Sequence, residues 1–562
     1  MSSGKREFRE QKGKKLNILK VLIVIILIIV VIVGIISLIK YINKDTNLEE
    51  KKEELETSLE NNNSVEEKSI EDIVAEFGGE GKEKIKSDTY YVEKEGKEYT
   101  VYSDGEIVDG RVVMWDGTSQ KPAIDEAGNI NIYNPAELRW IAEQVSSGEK
   151  SFAGVTINLR SSLDFGARKN EEGAWEGIAW SPIIGFLEET QEQKQTNNSE
   201  EQMIDETVDV TQEYLKRFAG TFIGNGFSIR GLYINTNSRY SGLFGYQTGV
   251  ITNLIVKNSF ITGAESVGTL VGLNGGTIQN CSVKDVEVIG TEKVGGLVGT
   301  TMTSSTIEGC KTEGTKNLVV GDKYVGGIVG YVNNNANISQ VLNAANISGS
   351  EYVGGVAGIS FYATVIKSAS NYAEKIVGEQ YVGGLVGYSQ SQIEKSSNQS
   401  KGSVTAQNYV GGLVGANYIM GNITDCFNTA RVVSSKDNCG GIVGINNANI
   451  ANCYNTGEID GSEAEGNKIG GICGQNVSDS YIYTSYNIGK IKASFVAGGV
   501  VGANFGTISN CYFLNTISNQ VPKEDYSKTE EEMKNSILEN LGENYKQDLD
   551  NKNEGYPILS WQ

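Results

Sequence analysis

The side chains of this 562-residue chain that could do chemistry are carboxylates, tyrosines and thiols, because it contains no histidine. That absence removes the Ser-His-Asp and Cys-His nucleophile systems and the His-Glu-x-x-His zinc proteases. Carboxylate chemistry on a β-helix needs several Asp grouped with Lys or Arg on neighbouring coils. Asp425, Asp437, Asp460 and Asp479 fall at different positions of the repeat described below, so no such cluster forms. No catalytic residue, metal ligand or cofactor is assigned, and the chain is not expected to be an enzyme; a polysaccharide-cleaving β-helix is the alternative. The seven cysteines are odd in number, lack zinc spacings and include no Cys-x-x-Cys. They read as small buried thiols, with disulfides between neighbouring coils, such as Cys426 with Cys453, as the other reading. Tyr324, Tyr352, Tyr381 and Tyr409 occupy the same place in four consecutive repeats. Stacked into a row, such rings either brace the fold or bind a sugar face or a protein. Phe427, Tyr454, Tyr486 and Tyr512 form a second ring series, for which bracing is the simpler reading.

What positions these residues is a glycine-centred repeat. It reads Gly-Gly-Leu-Val-Gly at Gly295 to Gly299, Gly383 to Gly387 and Gly411 to Gly415, with variants ending at Gly330, Gly358, Gly444, Gly474 and Gly502 and looser copies ending at Gly245 and Gly272. The step is roughly 28 residues, in the range of solenoid repeats. Glycine so abundant beside only 5 prolines, with no Gly-X-Y period, excludes collagen. Each unit holds three short apolar stretches separated by Gly, Asn and Ser, which read as strands. Three strands closing one coil define an all-β fold, a parallel β-solenoid or β-helix of about ten coils. The glycines mark close backbone approach or φ > 0; Gly299, Gly330, Gly358, Gly387, Gly415, Gly444, Gly474 and Gly502 are structural positions, without chemistry. A second register, Ile-x-x-small, follows each box from Ile278-x-x-Cys281 to Ile508-x-x-Cys511 and implies a tight interior slot. Turning both of its side chains inward needs a bend that the sequence does not place. Asn274, Asn417, Asn446, Asn476 and Asn504 share one position and read as turn residues able to ladder their amides.

The flanks complete the organisation. Residues 1–20 are a basic tail, with seven Lys or Arg and two Glu. Val21 to Ile39 run without a charge, long enough for a transmembrane helix that serves as an uncleaved signal anchor. The positive excess ahead of it places the tail in the cytoplasm and the body outside a single-pass cell membrane. Residues 40–114 read as an acidic spacer with short helices and strands. Residues 115–240 read as an N-terminal cap and first coils, with a helix at Ala136 to Val145 and an insertion near 187–216. Coils fill 241–516, and a helical C-terminal cap fills 517–562, with Thr529 opening a capping box. The net charge of −21 argues against nucleic acid as a partner.

The Gly-Gly-Leu-Val-Gly boxes and the Ile-x-Asn-Cys-Tyr-Asn stretch from Ile450 to Asn455 resemble the GLUG motif of bacterial surface proteins. The segments AELRWIAEQV, WSPIIG, FAGTFIGNGFSIRGL and GYPILSWQ add to the likeness, which covers roughly residues 115–562. The resemblance implies an adhesin-like or cell-surface interaction protein with a glycan or protein ligand outside the cell. The family also occurs beside immunoglobulin A peptidase domains, but that peptidase needs the histidines this chain lacks. A passive surface stalk is the remaining alternative.

Overall fold

A computed structural model describes residues 48–57, 68–78, 81–183, 216–314, 316–464, 466, 468–522 and 526–562. The basic tail, the apolar run 21–39 and the insertion near 187–216, Lys216 apart, lie outside the described residues. Among those described, no helix is long and apolar enough to cross a membrane.

The body is a parallel β-solenoid of about 12 turns. One coil shows how the sequence makes a turn. Gln380–Gly383 leads through the glycine box into Val386–Ser389, then come Gln392–Glu394, Ser397–Asn398 and Ser403–Gly411, which runs on into the next coil. Equivalent strands stack in register. Ile393 pairs with Ile366 on one side and Ile423 on the other, and the glycine-box Val386 pairs with Ala357 and Val414. The box strands make a 10-stranded sheet, the glycine wall, one strand per box. The isoleucine strands make a 14-stranded sheet, the isoleucine wall, whose first pairing is antiparallel. The expected ten coils therefore fall short because Ile130–Ile132, Thr156–Leu159 and Thr221–Ile223 extend the isoleucine wall upstream without a glycine box. Ile157, Phe222 and Ile251 continue the inward column, fully buried.

The bend missing from the sequence reading is a left-handed residue just before the interior slot. Asn280, Lys395, Asp425 and Asn452 have φ of 52°, 48°, 55° and 50°. Asn and Asp tolerate this conformation better than other side chains, which accounts for their frequency here. The slot residue then turns inward and donates to the carbonyl two residues back. Cys426 Sγ lies 3.0 Å from the Thr424 oxygen and Ser396 Oγ lies 2.8 Å from that of Glu394. Val341 and Ala369 fill the same buried slot without a donor, so limited size is what the position selects. All seven cysteines are buried and free, so the inter-coil disulfide alternative is not adopted.

Buried amides form two interior ladders. Of the expected column, Asn417, Asn446, Asn476 and, at the exposed end, Asn504 form a ladder with Nδ2 to Oδ1 distances of 2.8, 2.9 and 2.9 Å, whereas Asn274 accepts from Gln247. A second, not anticipated, runs Asn343, Asn371, Asn398, Asn428, Asn455, Asn487, with steps of 2.8, 2.8, 3.0, 2.8 and 2.8 Å. Every rung of this second ladder is inaccessible to solvent. Such amides are tolerable inside only because each meets the next.

The flanks pack on the rod. Helix Pro135–Ser147, begun by Asn134 and ended by left-handed Gly148, buries Leu138, Ile141, Ala142 and Val145 in the core of the first coils. Helix Ile70–Phe77 covers an antiparallel sheet of Gly81–Lys86, Thr89–Lys94, Lys97–Tyr102 and Ile107–Asp109, sharing Ile70, Val74, Val92 and Val101. The region expected to be a solvated spacer is docked where it is described. Leu48 and Leu55 of the helical residues 48–57 bury against Ile289, Val320 and Leu318, and Lys52 pairs with Glu287 at 2.8 Å. A charge cluster fixes the small sheet: Arg230 meets Glu106 at 2.5 Å and Asp104 at 2.8 Å, and Lys257 meets both carboxylates.

The C-terminal segment corrects a second expectation. Thr529 does form its capping box, ahead of helices Glu530–Asn535 and Ile537–Leu541. These helices lie along the side of the rod, while Ser527–Lys528 pairs with the last coil and Ile517 and Val521 cover part of the core at its end. Met533, Ile537, Leu541, Tyr545 and Leu559 pack on the second ring series, Phe427, Tyr454 and Tyr486. Asn553 donates to the Tyr486 hydroxyl at 2.8 Å, and Gln562 donates to that of Tyr454 at 2.9 Å. Those rings therefore serve an internal joint.

An aromatic wall as candidate binding site

Two residues ahead of eight of the ten glycine boxes the backbone has φ > 0: Tyr240, Ser266, Lys293, Tyr324, Tyr352, Tyr381, Tyr409 and Asn438 lie between 53° and 60°. The expected positive φ thus belongs to this column, and the box glycines serve close approach. A Cβ on any of Gly299, Gly330, Gly358, Gly387, Gly415, Gly444, Gly474 or Gly502 would lie 2.3–2.6 Å from backbone atoms. For a bulky side chain the left-handed conformation costs roughly 1–2 kcal/mol. Four consecutive tyrosines bear that cost, and stacking, worth about 0.5–1.5 kcal/mol per pair, offsets part of it.

The structure brings all four predicted tyrosines together. Tyr324 to Tyr352, Tyr352 to Tyr381 and Tyr381 to Tyr409 have centroid separations of 5.2, 5.0 and 4.7 Å and interplanar angles of 18°, 4° and 7°. Each ring is half-buried. Because their faces cover one another, the row presents ring edges and hydroxyls outward. A sugar laid flat on a ring face has no place within the row.

A second column widens the row into a wall. Tyr331, Ile359, Tyr388 and Ala416 directly follow the last glycine of their boxes and lie in register on the glycine wall. Tyr324 meets Tyr331 edge-on at 5.4 Å, Tyr352 meets Tyr388 at 6.0 Å, and Tyr388 stacks on Tyr418 at 5.1 Å. Burial beneath these rings pushes the Tyr388 phenol up to about 12. Phe361 joins Tyr331 at 5.2 Å, and Lys323 lies 5.2 Å from the Tyr324 centroid. Tyr362, Ile419 and Met420 rim the wall at 44%, 65% and 70% exposure. Sequence reasoning missed this second column, although a bulky apolar residue after the last glycine was its visible sign.

The carboxylates are not brought together. Asp425 accepts from Asn452 at 2.9 Å, Asp437 pairs with Lys468 at 3.4 Å, Asp460 pairs with Arg431 at 2.5 Å, and Asp479 sits in a turn at φ 60°. Among the described residues no group of three or more carboxylates and thiols is placed to hold a metal.

Fold and wall together define the class: a parallel β-solenoid rod with an aromatic strip on one outer face. The chain carries the GLUG motif, a motif of bacterial extracellular repeat proteins, and residues 406–433 match its family model. That match spans the strand bearing Tyr409, the glycine box and the Ile423-x-x-Cys426 register. A solved structure of a proposed immunoglobulin A1 protease from Bacteroides ovatus is 18% identical, with 79% of this chain and 96% of that one covered at a TM-score of 0.32. No curated protein matches the chain by sequence.

Proposed function

We propose that the protein is a membrane-anchored display rod whose aromatic wall binds a protein partner outside the cell. The observation that carries this reading is the interruption of the column. Ser266, Lys293 and Asn438 adopt the same left-handed backbone as the tyrosines with no ring, so the fold does not require Tyr324, Tyr352, Tyr381 and Tyr409. Rings concentrated on four consecutive coils, rimmed by Met420 and Ile419, have the composition of a recognition surface. The apolar run 21–39 supplies the anchor, with residues 1–20 in the cytoplasm and the rod outside. Carboxylates scattered around the coil give no support to the polysaccharide-cleaving alternative.

The test is a screen of the purified full chain, held in detergent, against extracellular-matrix proteins and glycans. Binders are then retested with Tyr381→Asn and Tyr409→Asn combined, since Asn already serves this backbone at Asn438. The expectation is a protein binder whose affinity falls at least tenfold while thermal unfolding hardly moves. Affinity that ignores the substitutions removes the wall from the function. A chain that binds nothing is a passive stalk, and that result overturns the proposal.

A further inference from the structure

The last coil ends the solenoid without a lid on two of its walls. Val501–Asn504 is the final strand of the glycine wall and Thr507–Ser509 the final strand of the isoleucine wall; each has a neighbour on one side only among the described residues. Val501 and Ile508 are partly exposed, although the isoleucines stacked beneath Ile508 are sealed. Ile517 and Val521 cover part of the core, leaving an open groove of about 560 Å³ lined by Val501, Asn504, Thr507, Ile508 and Tyr526. Asn504 is the exposed last rung of an amide ladder, accepting from Asn476 with no further amide beyond it among the described residues.

Natural sheet edges are usually blunted by charge, by proline or by a covering element. This edge has none of these on its strands. No charged residue occurs from Ala493 to Pro522, in a chain of net charge −21. Large apolar side chains crowd the same end: Phe495, Val496 and Phe505 are 52%, 64% and 66% exposed, with Tyr481 and Tyr483 one coil back on the isoleucine wall. We infer that this end docks a second copy of the chain, tail to tail about a twofold axis, with the exposed strand edges pairing antiparallel across it. Charge selects the occupant and the geometry. Two strongly acidic rods repel along their flanks, and the two open walls, unlike the third wall that finishes on Ser527–Lys528, offer strand edges free of charge. A twofold contact closes after two copies, whereas head-to-tail joining would run on as a filament.

Analytical ultracentrifugation of the full chain in detergent tests this. The expected mass is that of two chains, with association tightening as salt screens the flanks. Thr507→Lys with Ser509→Lys places charges at the edge strand, and Phe505→Ser removes an exposed ring without entering the core. Both variants are expected to halve the mass with unchanged circular dichroism. A wild-type chain that sediments alone overturns the inference. So does a dimer that survives both variants, or an open-ended series of larger species. Loss of the dimer in the Tyr381→Asn, Tyr409→Asn variant would place the contact on the aromatic wall and equally overturn it.

Discussion

A Cβ on Gly415 would lie 2.6 Å from the carbonyl carbon of Tyr381, one coil earlier, and 2.6 Å from the Val382 nitrogen. The glycine box and the tyrosine column are therefore one device. The left-handed turn at each tyrosine brings its peptide under the next coil, and only glycine leaves room for it.

Gly415→Ala should destabilise the rod by about 1–3 kcal/mol, the usual cost of forcing atoms into a packed site. Tyr381→Asn, which keeps the backbone conformation, should cost about 1 kcal/mol from lost stacking. Denaturant unfolding of the two variants checks the order; a Gly415→Ala protein as stable as wild type would mean that the coils slide apart freely.

The deeper amide ladder predicts a positional effect. Asn398 donates to Asn428 at 3.0 Å and to the Gly412 carbonyl at 2.9 Å, and accepts from Asn371 at 2.8 Å. Asn398→Ala strands groups on both neighbours, at about 1–3 kcal/mol for each buried group left unpaired. Asn487, the last rung, has an amide neighbour only in Asn455. Asn487→Ala should cost clearly less, and equal losses at the two sites would contradict a cooperative ladder.

Acid should release the small N-terminal sheet before it melts the rod. Burial opposes ionisation of Asp104 and Glu106, but Arg230 and Lys257 beside them hold both carboxyls below the usual carboxylate range. A carboxylate with a depressed folded pKa contributes stability that is complete above its unfolded value and is lost as pH falls through the folded one. Docking of residues 81–109 should hold at neutral pH and weaken below about pH 4. Limited acid proteolysis followed by mass mapping checks this. Cleavage starting in the coils instead would contradict it.

Burial raises the thiol pKa of Cys439, Cys453 and Cys473, and that of Cys511 to about 12. The thiolate is the reactive form and all seven thiols are buried, so the native chain should resist maleimide. After denaturation without reductant it should take up seven equivalents. Fewer than seven would revive cross-coil disulfides.

Much of this architecture was legible in the sequence, and what was not has physical reasons. The glycine boxes gave period and register because close approach admits no other residue. Leu138, Ile141, Ala142 and Val145 showed the buried face of their helix through its periodicity. First coils were expected within 115–240 but left out of the count of ten, because Ile157 and Phe222 sit in the inward column without a box to mark them. The bend before the slot was hidden because several residue types adopt its conformation: Asn452, Asp425 and Lys395 do so with unlike side chains. The tyrosine row was visible as a spacing, but that its rings cover one another's faces is a matter of angles. The position of residues 526–562 along the side of the rod was likewise invisible, since a helix signal says nothing of where the helix docks.

The left-handed column has a consequence for how such a protein changes over generations. Its backbone accepts Ser266, Lys293, Tyr352 or Asn438 alike, and each coil contacts only its neighbours. A duplicated or deleted repeat would shift the rod by one rung, about 4.8 Å, and leave the remaining joints intact. Recombination within the gene can therefore lengthen, shorten or rewrite the outward strip one letter at a time, with the scaffold acting as the page.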